Sequence, residues 1–323
     1  MASRCLVAMY HYVRDTLETP FPEIRALPPH LFEQQLDWLQ ERFALVPLTD
    51  VEAAVDGRGP LPENAAHLTF DDGFVDHYST VFPILRRRGL SATFFVAADT
   101  CGPAPRVLDV HKTHFLLAHL GAEAFGRAVL DETSATRSAA GADVFGVDRW
   151  EAADERAIKR RLNYELPFEE SSRVLDALFR AHLGDPTAFA CQLYVDEAAI
   201  RDMAAGGMSF GYHTRSHRML ARISADEQRD ELQGGVEWIA SLTGQPTVSF
   251  CFPWGGPGTY THETLRLLAE AGYSVAFNTE RRAADVRADG RFELPRYDTR
   301  DLPPYVATFA GAPAASAESD NAW

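Results

Sequence analysis

His67-Leu68-Thr69-Phe70-Asp71-Asp72-Gly73 is the stretch that decides the fold, because an apolar run ends there in two adjacent carboxylates and a glycine. The run predicts a buried strand, and Asp-Asp-Gly predicts the turn after it. A second stretch has the same design, since the strand-like residues 208–212 lead directly into His213 and, four positions later, His217. Side chains gathered at strand ends indicate a scaffold that keeps its chemistry at one edge of a sheet.

Strands and helices alternate along most of the chain. We predict strands at 5–12, 67–70, 92–96, 208–212, 248–252, 273–277 and 292–297, and helices at 31–42, 78–88, 224–243 and 263–271. Alternation of this kind predicts an α/β fold with a parallel sheet, either a barrel or a doubly wound sheet. We expect a barrel, because candidate functional groups follow at least four different strands.

Residues 101–206 interrupt this alternation and are predicted to be mostly helical, with a flexible segment rich in Ser, Ala and Gly at 134–141. We therefore predict a discontinuous barrel domain at 1–100 and 207–309 with an insertion at 101–206. The insertion would cover the mouth of the barrel or form a contact in a homo-oligomer. Small and polar residues at 310–323 predict a disordered tail.

Charge and composition disfavour several classes of partner. The 323-residue chain carries a formal charge of −15, whereas nucleic acids and anionic membranes bind clusters of Lys and Arg. No stretch approaches the roughly 20 apolar residues of a membrane helix, and the N-terminal region lacks the layout of a signal peptide. These observations lead us to expect a cytoplasmic protein. The 4 cysteines show neither close pairing nor metal-finger spacing, so no disulfide framework is expected.

The two motifs together indicate a metal site. One carboxylate of the Asp71-Asp72 pair could join His213 and His217 around a divalent ion with open coordination positions, while the other carboxylate remained free to act as a base. Each motif alone is weak evidence, because Asp-Asp-Gly is a common turn and histidines four apart can simply share a helix face. Zn²⁺ is the expected metal, and Fe, Mn, Co or Ni would suit the same ligands.

The motifs resemble those of the polysaccharide deacetylases of carbohydrate esterase family 4, which share the NodB homology domain. Residues 69–73 resemble the first motif of that family, 213–217 the second and 250–255 the third, and 9–13 are similar to the opening strand of a subset of its members. The resemblance covers roughly residues 5–100 and 207–300. It implies a distorted (β/α)₇ barrel and a metal-dependent hydrolase that removes N- or O-acetyl groups from sugars.

Carried over by position, the resemblance implies that Asp72, His213 and His217 bind the metal and that Asp71 is the general base. It also implies that the backbone N–H near Trp254 helps to hold the oxyanion and that the Trp254 ring lines the sugar groove. Pro253, Tyr10 and His111 complete the predicted substrate-binding residues.

Two positions depart from the family pattern. The third motif usually carries an arginine that orients the base, but Cys251 stands there, so we expect Arg296 to pair with Asp71 instead. The last motif usually supplies a histidine as general acid, but no histidine follows His262. His11 is the first candidate for the acid, as it follows a barrel strand, and His111 and His114 in the insertion come next. His11 could equally be a packed core residue.

Three functional hypotheses follow. The leading one is a cytoplasmic, metal-dependent N-deacetylase of an acetamido sugar, with a soluble sugar intermediate as substrate. The second is a hydrolase that uses the same site to cleave a different C–N bond. Relatives with this barrel cleave formamides, cyclic imides and ureides, and the Cys251 in place of arginine resembles the pattern of such divergent members. The third is a non-catalytic sugar-binding protein, which the lack of an acid histidine favours. Retention of both Asp71 and Asp72 argues against it, since a binding protein needs no spare base.

Overall fold

The computed structural model of the chain describes residues 3–17, 19–133, 152–307 and 309. Within these residues one 9-stranded sheet is surrounded by helices. The strands are β1 Arg4–Tyr10, β2 Ala44–Leu45, β3 Ala65–Phe70, β4 Thr93–Val96, β5 Ser209–Tyr212, β6 Ser249–Cys251, β7 Ala276–Phe277, β8 Ala284–Asp285 and β9 Tyr297–Asp298. The helices are α1 Pro29–Arg42, α2 Leu48–Val55, α3 Phe82–Arg88, α4 Asp109–Glu132, α5 Ala153–Arg160, α6 Phe168–Leu183, α7 Pro186–Leu193, α8 Glu197–Ala205, α9 Ala225–Leu232, α10 Gly235–Thr243 and α11 His262–Glu270.

The sheet has the order β7-β6-β5-β4-β3-β1-β8, with β2 beside β3 and β9 beside β1. All of these pairings are parallel except β1 with β8. The sheet curls as a half-barrel, which confirms the predicted α/β barrel class. Because the neighbouring strands run in the same direction, their carboxyl ends meet at one edge of the sheet.

The two faces of β1 show why one predicted site residue is absent from that edge. Side chains alternate between faces along a strand, and Tyr10 points into the core formed with the surrounding helices. Its ring is fully buried and stacks on Phe70 at 5.0 Å, with the edge of Phe32 at 5.3 Å. The structure therefore does not bring Tyr10, a predicted substrate-binding residue, to the strand-end cavity, because the pleat turns it away.

Among the predicted elements that differ from the structure are one helix and one strand near the site. The helix predicted at 224–243 begins at the expected capping box of Ser224 and Glu227 but is divided into α9 and α10. Gly234 stands between them with φ of 78°, a left-handed conformation that ends one helix before the next begins. The strand that forms in place of the one predicted at 292–297 is β9, which has two residues and begins only at Tyr297. Within the predicted range, Leu294 forms an isolated bridge with Phe277.

The helices between β4 and β5 contribute to two different cores. Side chains from α4, α6 and α7 form a separate hydrophobic cluster that includes Phe115, Phe125 and Phe179. Ile200 and Met203 of α8 instead pack into the core beside the sheet. The predicted domain boundaries at 100/101 and 206/207 stay a prediction, and the flexible segment 134–141 and the tail 310–323 lie outside the described residues. Among the described helices, none has both the length and the apolar character that a membrane crossing requires.

Candidate active site

The two adjacent carboxylates lie in a tight turn directly after β3. The Asp71 N–H still donates to the Tyr10 carbonyl at 2.9 Å, as a continuation of the sheet, and the chain then turns sharply. Asp72 has φ of 76° and Gly73 has φ of 66°. A Cβ at Gly73 would lie 2.8 Å from Val96 Cγ1, so this position requires glycine. A left-handed aspartate is strained, and such strain concentrates at functional sites.

The two histidines lie in a loop after β5 and not on a helix face. Thr214 and His217 both have positive φ, 63° and 64°. The Thr214 hydroxyl accepts the His217 N–H at 2.9 Å, which closes the loop and turns both imidazoles in the same direction, with ring centroids 4.9 Å apart. His213 and His217, four residues apart, are therefore brought together by the conformation of this loop.

Asp72, His213 and His217 form a buried cluster of metal-ligand type. Asp72 Oδ1 lies 3.5 Å from His213 Nε2 and 3.4 Å from His217 Nε2. In the part of the chain that the structure describes, this oxygen has no hydrogen-bond partner. The other nitrogen of His213, Nδ1, is 2.8 Å from the Cys251 carbonyl, a contact that directs Nε2 toward Asp72. A buried orphaned oxygen with two imidazole nitrogens beside it fits a divalent ion.

A second group, Asp71, His213 and Cys251, also has metal-ligand distances. There, however, Arg296 lies within the group, with Nη2 3.0 Å from Cys251 Sγ and 2.8 Å from Asp71 Oδ2. A buried guanidinium repels a divalent cation. The cluster around Asp72 is therefore the better metal site.

Arg296 pairs with Asp71 through two parallel hydrogen bonds, Nη1 to Oδ1 and Nη2 to Oδ2, both 2.8 Å long. Arg296 is 1% exposed and Asp71 is 2% exposed, so water does not screen the pair. Burial by itself would raise the pKa of Asp71, but the charge and hydrogen bonds of Arg296 lower it below its usual value. Asp71 is therefore ionised at neutral pH.

The electrostatics of the cluster suit metal binding. Burial lowers the pKa of His217 to about 4, more than the neighbouring Asp72 carboxylate raises it. Burial would raise the pKa of Asp72, but the surrounding histidines, with His111 first, hold it well below its usual value. The neutral imidazole of His217 and the ionised carboxylate of Asp72 are the forms that bind metals. Burial would lower the pKa of His213, but its contacts with Cys251 and the two neighbouring carboxylates raise it well above its usual value, so a metal at this ring would displace a proton.

His11 follows β1 and faces Asp71, with Nε2 3.8 Å from Asp71 Oδ2. Its side chain is 39% exposed and lines the cavity, so it is not a packed core residue. Asp298 of β9 lines the same cavity, and sequence reasoning did not identify it. Burial raises the pKa of Asp298, although its backbone hydrogen bond with Arg300 and the charge of His11 oppose this.

The cavity at this edge has a volume of about 870 Å³. Pro253 and Trp254 line one side, and His114 lines another, from α4. Neither the backbone N–H nor the indole N–H of Trp254 finds a partner among the described residues. His111 does not line the cavity, because its ring is buried beneath the surface and packs on Phe74 with centroids 4.8 Å apart. The structure therefore does not bring His111, a predicted substrate-binding residue, to the cavity surface.

Glu231 on α9 is a residue that sequence reasoning missed. It is fully buried, and one carboxylate oxygen accepts the backbone N–H groups of Arg215 at 3.1 Å and Ser216 at 2.8 Å. The Ser216 hydroxyl donates to the other oxygen at 2.5 Å. These bonds hold the loop that carries His213 and His217. A charged residue beside Leu232 on the buried face of an amphipathic helix was the available signal.

Comparisons with known proteins agree with the geometry. The sequence profile described as polysaccharide deacetylase matches residues 58–112 and 166–276, just over half of the chain. "Putative polysaccharide deacetylase YxkH" of Bacillus subtilis (strain 168) is 21% identical over 295 residues, which are 90% of this chain and 69% of YxkH. The poly-beta-1,6-N-acetyl-D-glucosamine N-deacetylase of Escherichia coli (strain K12) is 36% identical over 78 residues, which are 24% of this chain and only 11% of that enzyme.

Solved structures show the same fold. The deacetylase PplD of Streptococcus pyogenes, in complex with acetate, matches with a TM-score of 0.58 at 19% identity, over 94% of this chain and 95% of PplD. IcaB from Ammonifex degensii matches with a TM-score of 0.56 at 19% identity, over 92% of each chain.

Proposed function

The chain belongs to the polysaccharide deacetylase family, whose members are N-deacetylase hydrolases, and we propose that it removes the N-acetyl group of an acetamido sugar by metal-dependent hydrolysis. One observation carries the proposal: a buried cluster of metal-ligand type and an arginine-paired carboxylate adjoin the same cavity. A binding protein would have no use for both.

In this proposal Asp72, His213 and His217 hold the metal. A bound divalent ion would lower the pKa of water and polarise the acetyl carbonyl. Asp71, beside the cluster and ionised, accepts the proton of the attacking water. Arg296 holds both carboxylate oxygens of Asp71 in place, and its positive charge stabilises the ionised form of Asp71 in a buried site.

Trp254 and His11 perform the remaining steps. The backbone N–H of Trp254, which has no partner among the described residues, donates to the oxyanion that forms when water adds to the carbonyl. An amide cannot release its nitrogen as an anion near neutral pH, so a proton must reach that nitrogen as the C–N bond breaks. His11 stands at the cavity within 3.8 Å of Asp71, and it donates this proton. The products are acetate and the amino sugar.

The substrate in this proposal is a short soluble sugar. A cavity of about 870 Å³ has the size of small-molecule sites in proteins. Arg25, in the segment between β1 and α1, pairs with Glu155 of α5 at 2.6 Å, and both residues line the cavity. This contact narrows the cavity and favours a short ligand over an open polymer groove. A cytoplasmic location and a homo-oligomer remain predictions.

A second candidate keeps the site and cleaves another C–N bond, such as a formamide, cyclic imide or ureide. Its support is Cys251, which stands where the family usually has arginine. The Arg296–Asp71 pair weakens this support, because the base still has a guanidinium partner.

The test is amine release from a substrate panel by protein loaded separately with Zn²⁺, Co²⁺, Fe²⁺, Mn²⁺ or Ni²⁺. The panel contains N-acetylated mono- and disaccharides, nucleotide sugars, a β-1,6-linked N-acetylglucosamine polymer, N-formylated sugars and cyclic amides. We expect turnover of a short acetamido sugar that depends on added metal. Turnover of formylated or cyclic substrates alone would select the second candidate, preference for the polymer would overturn the short substrate, and no metal binding would reject the proposal.

A further inference from the structure

His111 of α4 contacts the proposed metal ligand Asp72 at the carboxylate oxygen that His213 and His217 do not face. Its Nε2 lies 3.2 Å from Asp72 Oδ2, whereas His213 and His217 face Oδ1. His111 is 1% exposed, and in the described part of the chain its Nε2 makes no hydrogen bond, so Asp72 Oδ2 at 3.2 Å is the polar atom that it faces. A buried imidazole nitrogen therefore points at the outer oxygen of the one carboxylate in the cluster.

Tyr194, which follows α7, determines which nitrogen of His111 carries the proton. The Leu108 backbone N–H donates to the Tyr194 hydroxyl at 3.1 Å, so the hydroxyl hydrogen is available for a second partner. That partner is His111 Nδ1, 2.6 Å away. With Nδ1 accepting a hydrogen bond, neutral His111 carries its proton on Nε2, and this proton faces Asp72 Oδ2.

Neither substrate binding nor structural packing explains this arrangement. His111 lies outside the residues that line the cavity, so it does not contact a ligand there. It also stands outside the group of side chains with metal-ligand distances to one another. A ring needed only for packing beside Phe74 and Tyr12 would require neither a carboxylate on Nε2 nor a hydroxyl on Nδ1.

We propose that His111 is a positioning residue that fixes the orientation of Asp72, and that Tyr194 acts through His111 by fixing its tautomer. This inference rests on the metal site of the proposed function. Hydrogen bonds to the far side of a metal ligand raise its affinity for metal and restrict its rotation. Asp72 has a strained, left-handed backbone, so its side chain gains from a second anchor. The helices between β4 and β5 thereby take part in metal binding.

The test measures metal rather than turnover. Zn²⁺ affinity is determined by competition with a chromogenic chelator, and Co²⁺ loading is followed by visible absorption, for four variants: His111→Leu, His111→Gln, Tyr194→Phe and the double variant with His111→Leu and Tyr194→Phe. We expect His111→Leu to weaken Zn²⁺ binding about 10–100-fold. His111→Gln should recover most of the affinity, because the Gln Nε2 can donate to the same oxygen.

Tyr194→Phe should cause a smaller loss, and the double variant should lose no more than His111→Leu, since Tyr194 acts only through His111. The control is His119→Leu, which replaces an exposed histidine of the same helix. Thermal unfolding identifies any variant that fails to fold, and the Gln and Phe variants then decide the question.

The outcomes separate this inference from the proposed function. Wild-type protein that binds no metal would reject the proposed function and this inference with it. Unchanged affinity in a folded His111→Leu variant, or equal losses in the Leu and Gln variants, would overturn the positioning role alone. A Co²⁺ spectrum showing fewer nitrogen ligands in His111→Leu would make His111 a direct ligand and overturn it too.

Discussion

Arg296 and Asp71, 225 residues apart in the chain, meet in a buried two-bond pair, with Nη1 on Oδ1 and Nη2 on Oδ2. Arg296 also donates to Thr69 Oγ1 at 3.1 Å and to the Asn278 carbonyl at 3.0 Å, so its position is fixed from several directions. Cys251, at the place where an arginine was expected, lies 3.0 Å from Nη2. The guanidinium thus approaches the carboxylate from a different part of the chain and leaves room for only a small side chain at 251.

Replacing Arg296 by lysine should shift the pH dependence of the reaction. Lysine keeps the charge but loses the planar pair of donors, so burial raises the pKa of Asp71 toward its usual value or above. The base is then protonated at a higher pH, and the acidic limb of kcat/KM should move upward. A pH–rate profile measures the shift, with Arg291→Lys, at an exposed pair with Asp56, as the control. An unchanged acidic limb would show that Arg296 does not control the pKa of the base.

Asp71→Asn should retain metal and lose turnover. The amide cannot accept the proton of water, so kcat should fall by about 10²–10⁴-fold, the usual contribution of a general base. Metal content is measured beside the rate. Asp76→Asn is the matched control, because Asp76 is also buried and accepts from an arginine, at 2.6 Å, but does not line the cavity. Near-normal turnover in Asp71→Asn would remove Asp71 from the role of base.

His213→Ala should lose the metal. His213 is one of the three proposed ligands, and its Nδ1 contact with the Cys251 carbonyl means that its orientation is built into the fold. Elemental analysis after dialysis against trace metal should show a large loss relative to wild type, whereas His182→Ala, at an exposed histidine on α6, should bind normally. Full metal content in His213→Ala would reject the cluster around Asp72.

His11→Gln should reveal a general acid through its dependence on the leaving group. With an amide substrate the rate should fall by about 10²–10⁴-fold, because the departing nitrogen needs a proton. With an aryl acetate the leaving phenolate needs no proton, so the loss should be much smaller. Rates for the two substrates are compared in the same preparation. Equal losses on both would indicate that His11 acts on Asp71 or on folding.

Trp254→Ala should weaken substrate binding without affecting the metal. Loss of an aromatic contact in the cavity should raise KM by about 10-fold, corresponding to roughly 1.5 kcal/mol, while Trp254→Phe should have a smaller effect. Steady-state kinetics and metal content are both measured. An unchanged KM in Trp254→Ala would place the sugar elsewhere in the cavity.

Much of the fold could be predicted because local signals and global structure agree. The run before Asp71 is apolar and forms β3, and the capping box at Ser224 begins α9 at the expected residue. Strand ends carry the polar groups, so their meeting at one edge follows from parallel pairing alone. The expected contact of Arg296 with Asp71 is also present, since a buried carboxylate needs a cationic partner.

The remaining features depend on tertiary contacts that no local pattern encodes. Tyr10 and His11 are adjacent, and only the pleat decides that His11 faces the cavity while Tyr10 enters the core. The sequence indicates His111 as a residue of the insertion that reaches toward the site, but its contact with Asp72 Oδ2 depends on how α4 packs beside the turn after β3. The position of Glu231 beside Leu232 could have indicated a buried charge, but not its partners, because the backbone N–H groups of 215 and 216 carry no sequence signal.

The Arg296 pair also has a consequence for the order in which the site can form during synthesis. Asp71, Asp72, His213 and His217 all leave the ribosome before Arg296 does. Until Arg296 docks beside β1, Asp71 lacks the guanidinium whose charge and two hydrogen bonds lower its pKa and fix its orientation. A nascent chain could then collect its metal ligands before it possesses a working base. The pair is therefore complete only when the last strand, β9, has joined β1 at the edge of the sheet.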